Sequence, residues 1–130
     1  MFESQLRGPT IDYCIEYVDG LWLHVHHSGG MTSLKMDLGE INTFIGFLKK
    51  VEHYKKLYSR GDCKFYDLPR HGESENFTYQ AEYHSDDRVV LDIGCRDMLV
   101  CFPVLNEELG KFIQCLKNDY EEAKDANLHE

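Results

Sequence analysis

The sequence is poor in prolines (3), holds one tryptophan, and has only 14 lysines and arginines against 23 aspartates and glutamates in 130 residues. Long apolar runs are missing: Leu21-Trp22-Leu23 and the stretch from Met98 to Val104, which Leu105 extends by one, are among the longest. These fall far short of the roughly 20 residues that cross a bilayer, which excludes a transmembrane helix, and no membrane partner is expected. Met1 to Gln5 lacks the basic start and apolar stretch of a secretory signal, so the expected compartment is the cytoplasm. The five cysteines (Cys14, Cys63, Cys95, Cys101, Cys115) are odd in number and form no C-x-x-C pair, which speaks against a disulfide framework. No G-x-S-x-G elbow, phosphate loop or dinucleotide fingerprint occurs, so no catalytic residue and no cofactor is assigned and the chain is expected not to be an enzyme.

What is present describes a globular chain. Hydrophobic residues make up 42% and aromatics 12%, enough for the core of one domain spanning residues 1–130. The most informative feature is self-similarity. Tyr13-x-x-Glu16-Tyr17, Leu21/Leu23/Val25 and Glu40-Ile41-x-x-Phe44-Ile45-x-x-Leu48-Lys49 reappear as Tyr79-x-x-Glu82-Tyr83, Val89/Leu91/Ile93 and Glu108-Leu109-x-x-Phe112-Ile113-x-x-Leu116-Lys117. The offset is 66 residues at the tyrosines and 68 from Leu21 onward, the difference falling at Ser85-Asp86-Asp87.

Each copy reads as strand, strand, strand, helix, with period-two alternation in the strands and an i, i+3, i+4, i+7 stripe in the helix. The first covers about 11–58, with turns at Asp19-Gly20 and Ser28-Gly29-Gly30 and the helix entered at Asp37 or Leu38. A second stripe of Phe47, Val51, Tyr54 and Tyr58 predicts a helix covered on two sides. The linker is 59–76, in which Lys64-Phe65-Tyr66 could add a strand. The second copy covers about 77–124: strands Phe77 to Tyr83, Arg88 to Ile93 and Met98 to Val104, Asn106 as N-cap, and a buried stripe of Leu109, Phe112, Ile113, Leu116 and Tyr120. The polar tail 121–130 is expected to fray. The expectation is thus an α+β fold: two tandem units in one domain, antiparallel sheets packed on two helices.

Charge is segregated. Residues 1–66 are neutral, with Lys49, Lys50, Lys55, Lys56 and Arg60 late in the first helix, while residues 67–130 carry six basic against fifteen acidic residues, the whole net charge of -9. A one-sided acidic surface steers toward a basic partner. Candidate partner-binding residues are Glu73, Glu75, Glu82, Asp86, Asp87, Asp92 and Asp97, together with Trp22, His24 and His26 on one strand face. His24 and His26 could chelate, but a zinc site needs further ligands, and no spacing assigns His71 or His84 to it, so no metal is assigned. Uncovered sheet edges of such units are compatible with a homodimer.

The run Leu34 to Lys49, L-x-M-x-L-G-E-I-x-x-F-I-x-F-L-K, within a strand-rich unit closed by a helix, resembles the layout of Whirly-type and purine-rich-element-binding repeats. That resemblance implies single-stranded nucleic-acid binding. The strands here depart from it in carrying Glu16, Glu82, Asp92 and Asp97 where phosphate binding calls for lysine and arginine. In size, acidity and the run from Gly20 through Ile41, the chain also resembles the small WapI-type immunity proteins of bacterial polymorphic-toxin systems. This second resemblance implies a non-enzymatic inhibitor that neutralises a basic toxin, often a nuclease, with acidic side chains. A phage-encoded inhibitor of a defence nuclease would share that physics. A small enzyme with a Cys/His site is the remaining alternative.

Overall fold

The computed structural model describes residues 3–7, 12–17, 21–27, 30–96 and 98–125. The fold is α+β. Strands β1 (Glu3–Arg7), β2 (Asp12–Tyr17), β3 (Leu21–His27) and β4 (Gly30–Lys35) form one antiparallel sheet in chain order and lead into helix α1 (Leu38–Ser59). Strands β5 (His71–Glu73), β6 (Thr78–Ser85), β7 (Arg88–Cys95) and β8 (Met98–Leu105) form a second sheet in chain order and lead into α2 (Asn106–Asp125). Among the described residues each unit therefore has four strands, one more than its periodicity predicts. The pattern does not show β5, which is three residues long and interrupted by Gly72, or β1, which lies ahead of the patterned region.

The two sheets share register at the sequence offsets. Tyr13 opposes Val25 as Tyr79 opposes Ile93, and Leu23 opposes Leu34 as Leu91 opposes Phe102. A bulge between Glu82 and Ser85 shifts the β6–β7 register by one before the tight turn at Asp86-Asp87. The turns expected at Asp19-Gly20 and Ser28-Gly29 lie outside the described residues.

Helix α1 starts where its chemistry dictates. Asp37 caps it through Oδ1, which accepts from the Glu40 N–H at 2.8 Å, while Glu40 Oε1 accepts from the Asp37 N–H at 3.1 Å. This reciprocal capping box satisfies two donors that would otherwise lack partners. It ends at Gly61, whose φ of 78° suits glycine, with Asp62 N–H returning to Leu57 O and Gly61 N–H to Tyr58 O. Lys64 to Tyr66, where the sequence allows an added strand, enter a single 3-10 turn at Phe65–Asp67 instead, closed by the Asp67 carboxylate on the Lys64 N–H. Asn106 is the first residue of α2 rather than its cap. Its side chain donates to Asp86 O at 2.7 Å, and the Glu108 carboxylate takes the Leu105 N–H, the role Glu40 plays in α1.

The helices bind the units together. Helix α1 packs on β5 and β6 of the second sheet, and α2 packs on β1 of the first as well as on β8. Phe44 and Phe112 meet edge-to-face at 6.1 Å where the helices cross, and Phe44 lies 5.0 Å from Tyr79. One buried cluster joins Leu23, Val25 and Leu34 to Val89, Leu91, Ile93 and Phe102 through both helices, so neither unit has a core of its own. Phe47 and Val51 are buried as their stripe predicts, whereas Tyr58 at its end is exposed. The expected fraying is corrected for 121–125: these residues continue α2, held by Ala123 at 1% exposure. Residues 126–130 lie outside the described residues.

Candidate functional site

The outer face of the second sheet follows from strand alternation. Tyr79 and Ala81 of β6 point into the core, so Thr78, Gln80 and Glu82 face outward and are exposed. In β5, a Cβ on Gly72 would stand 2.8 Å from Phe47 Cδ1, so Gly72 faces α1 and His71 and Glu73 face out. Leu91 and Ile93 of β7 are buried, leaving Val90, Asp92 and Gly94 outward. Val100, Phe102 and Val104 of β8 are buried, leaving Leu99, Cys101 and Pro103 outward. The registers align His71, Gln80, Asp92 and Cys101 in one row across the four strands.

Asp92 sits at the centre of this face. It is 8% exposed, and its Oδ1 has no hydrogen-bond partner among the described residues. A desolvated carboxylate oxygen without a donor is costly, and such groups are rare in folded proteins. Cys101 stands directly opposite, and the neighbouring Asp92 carboxylate is the first cause of a thiol pKa pushed up to about 11. Glu82 and Glu73 flank the row, and none of the outward positions on these strands up to Val90 and Pro103 is a lysine or arginine. Met98 and Leu99, 46% and 70% exposed, add an apolar rim at the β7–β8 turn.

The remaining acidic candidates divide. Asp87 belongs to the β6–β7 turn: its carboxylate accepts from Ser85 Oγ at 2.8 Å and from two Arg88 nitrogens at 3.1 Å. The Arg88 bond leads in holding its pKa down to about 2, and the pairing offsets the charge it would show a partner. Asp86 is exposed at the same turn, away from the Asp92 row, and its carbonyl holds Asn106. Glu75 is exposed in the β5–β6 connection beside the start of α1. Asp97 lies outside the described residues.

Trp22, His24 and His26 stand on the other sheet, so the structure does not join them to the acidic row. Trp22 and His24 stack with their ring planes 4° apart, Lys35 Nζ lies 5.9 Å over the indole, and the His24 ring bonds Ser33 Oγ at 2.8 Å. His26 is exposed opposite Met31. No three His, Cys, Asp or Glu side chains converge as a metal site among the described residues.

Sequence reasoning missed Cys101, Met98, Leu99 and Lys35. Only the register exposes the first, because an alternating strand does not say which residue opposes Asp92. It also missed a cleft of about 640 Å³ lined by Lys55, Tyr58, Cys63, Phe65, Tyr83 and Asp86. Its aromatic faces are occupied from within: the Arg70 guanidinium lies 4.9 Å over Phe65 and 5.7 Å over Tyr83, and donates to Leu68 O at 2.8 Å. Tyr83 in turn donates to Pro69 O, and Lys55 Nζ donates to Arg88 O. Desolvation, with Asp67 and Asp62 nearby, raises the Cys63 thiol pKa, the opposite of an activated nucleophile. The cleft therefore reads as the lock that seats the linker on the second sheet. No family model matches the chain, and no curated protein matches it.

Proposed function

We propose that the chain is a non-catalytic binding protein that holds a basic protein against the outer face of its second sheet. The observation that carries the reading is Asp92: a carboxylate at the centre of an open sheet face, with one oxygen lacking a donor and Glu73 and Glu82 on either side. An arginine or lysine side chain of a partner pairs with the Asp92 carboxylate once the side chains covering Oδ1 give way, and the apolar rim at Met98 and Leu99 adds area removed from water. Steering by the acidic half speeds encounter, and the desolvated contact at Asp92 slows release. An inhibitor of a basic nuclease, whether an immunity protein or a phage-borne anti-defence protein, is the biological role this chemistry fits.

The test compares wild type with Glu73→Lys/Glu82→Lys and Asp92→Ala as immobilised baits for protein from the native host. The expected result is a stoichiometric basic protein released by salt, lost with the charge-reversed bait and released faster from Asp92→Ala. Equal retention by all three baits refutes the reading.

A second reading has its own observation. Trp22 stacked on His24 with Lys35 above it is an aromatic and cationic patch on a sheet of the neutral half, the arrangement that stacks single-stranded bases. Trp22 fluorescence that quenches on adding single-stranded oligonucleotide at low salt supports it, and an unchanged spectrum removes it.

A further inference from the structure

Among the described residues four strands lie at sheet edges, and they differ in charge. Strand β1 carries Glu3 and Arg7, β4 carries Lys35 and β5 carries Glu73, charges of the kind that blunt edge pairing. Strand β8 differs. Its eight residues, Met98-Leu99-Val100-Cys101-Phe102-Pro103-Val104-Leu105, contain no charge, and among the described residues no strand pairs with its outer edge.

The backbone polarity of β8 is fixed by three observations. Asn106 N–H continues the ladder toward β7 by donating to Asp87 O at 2.8 Å, so the even-numbered residues bond β7. Leu105 N–H points the other way, to Glu108 Oε1 at 3.1 Å. Pro103, which has no N–H to give, has the same parity as Leu105. The outer edge therefore presents the N–H groups of Leu99 and Cys101 and the carbonyls of Leu99, Cys101 and Pro103.

We infer that β8 pairs antiparallel with β8 of a second copy of this chain, joining two four-stranded sheets into one. The register that satisfies the edge sets Cys101 opposite Cys101. Each Cys101 N–H then meets the other copy's Cys101 carbonyl, and each Leu99 N–H meets a Pro103 carbonyl, which uses both N–H groups that the edge offers. Leu99, 70% exposed in the single chain, comes to lie against Pro103 of the second copy. The outer faces become continuous, with the two Asp92 rows flanking the seam. Strand spacing sets the two carboxylates roughly 14 Å apart, beyond the Debye length of about 8 Å at physiological salt, so their repulsion is screened.

Sedimentation equilibrium of the full chain tests this. Wild type is expected at twice the 15.2 kDa chain mass, and Leu99→Lys at the monomer mass with an unchanged circular dichroism spectrum. A short bifunctional thiol reagent joins Cys101 of one copy to Cys101 of the other in wild type, and the crosslinked species is lost in Cys101→Ser. Wild type that stays monomeric at the highest loading, or Leu99→Lys that stays dimeric, overturns the pairing. A dimer in which Cys101 cannot be joined to Cys101 overturns the register.

Discussion

Replacing Phe44 with alanine tests whether the two units share one core. The ring is 1% exposed, lies 5.0 Å from Tyr79 of the second sheet and 6.1 Å from Phe112 of α2, and belongs to a helix that leads out of the first sheet. Removing such a ring costs about 3–5 kcal/mol, the lost transfer energy plus the cavity left behind. Against a total of about 5–15 kcal/mol that is a large fraction. With about 2.1 cal/mol/K of unfolding entropy per residue over 130 residues, Tm falls by about 11–18 °C. The assay is denaturant unfolding followed by helix circular dichroism and by fluorescence of Trp22, the sole tryptophan, which reports on the first sheet. One core requires both probes to shift together with an unchanged denaturant slope. A Trp22 transition that keeps its wild-type midpoint while helix signal is lost early would refute the shared core.

Other outcomes follow from single sites. Gly72→Ala drives a methyl to 2.8 Å from Phe47 Cδ1 and costs about 1–3 kcal/mol in chemical denaturation, where an ordinary loop glycine would be neutral or gain. Tyr79 is 1% exposed and its pKa is raised to about 12, chiefly by burial. Its contribution is complete below the unfolded tyrosine pKa near 10 and disappears as pH rises through about 12, on the order of 2–3 kcal/mol. Absorbance at the tyrosinate band should show one tyrosine ionising together with alkaline unfolding; ionisation near pH 10 without unfolding contradicts the burial. Asp92→Ala removes the carboxylate that raises Cys101, so that thiol should react faster with a disulfide reagent at mildly alkaline pH, with Cys101→Ser identifying the signal. An unchanged rate argues against the coupling of Asp92 to Cys101.

Much of the fold was legible because its signals are periodic. The stripes Ile41/Phe44/Ile45/Leu48 and Leu109/Phe112/Ile113/Leu116 have to find cover, and all eight residues are buried. Strand β5 carries too few residues to show a period, and the exchange of helices between sheets is a tertiary choice that no local pattern encodes. Asn106 has the right side chain for a cap, yet the nearby carbonyl of Asp86 draws it into a tertiary bond. The acidic half of the chain was visible as composition, but its geometry was not. Asp87 and Asp92 look alike in sequence; one is spent on Arg88 in a turn, and the other is buried on a sheet face with one oxygen lacking a donor.

The central claim is that the Asp92 face holds a basic partner. Its most direct measurement is the dissociation rate of the captured host protein from wild type and from Asp92→Ala, followed by surface-based kinetics at several salt concentrations. The account predicts a faster off-rate for Asp92→Ala with a little-changed on-rate, and a slower on-rate for Glu73→Lys/Glu82→Lys that converges on wild type as salt rises. Identical kinetics for all three proteins at every salt concentration would contradict it.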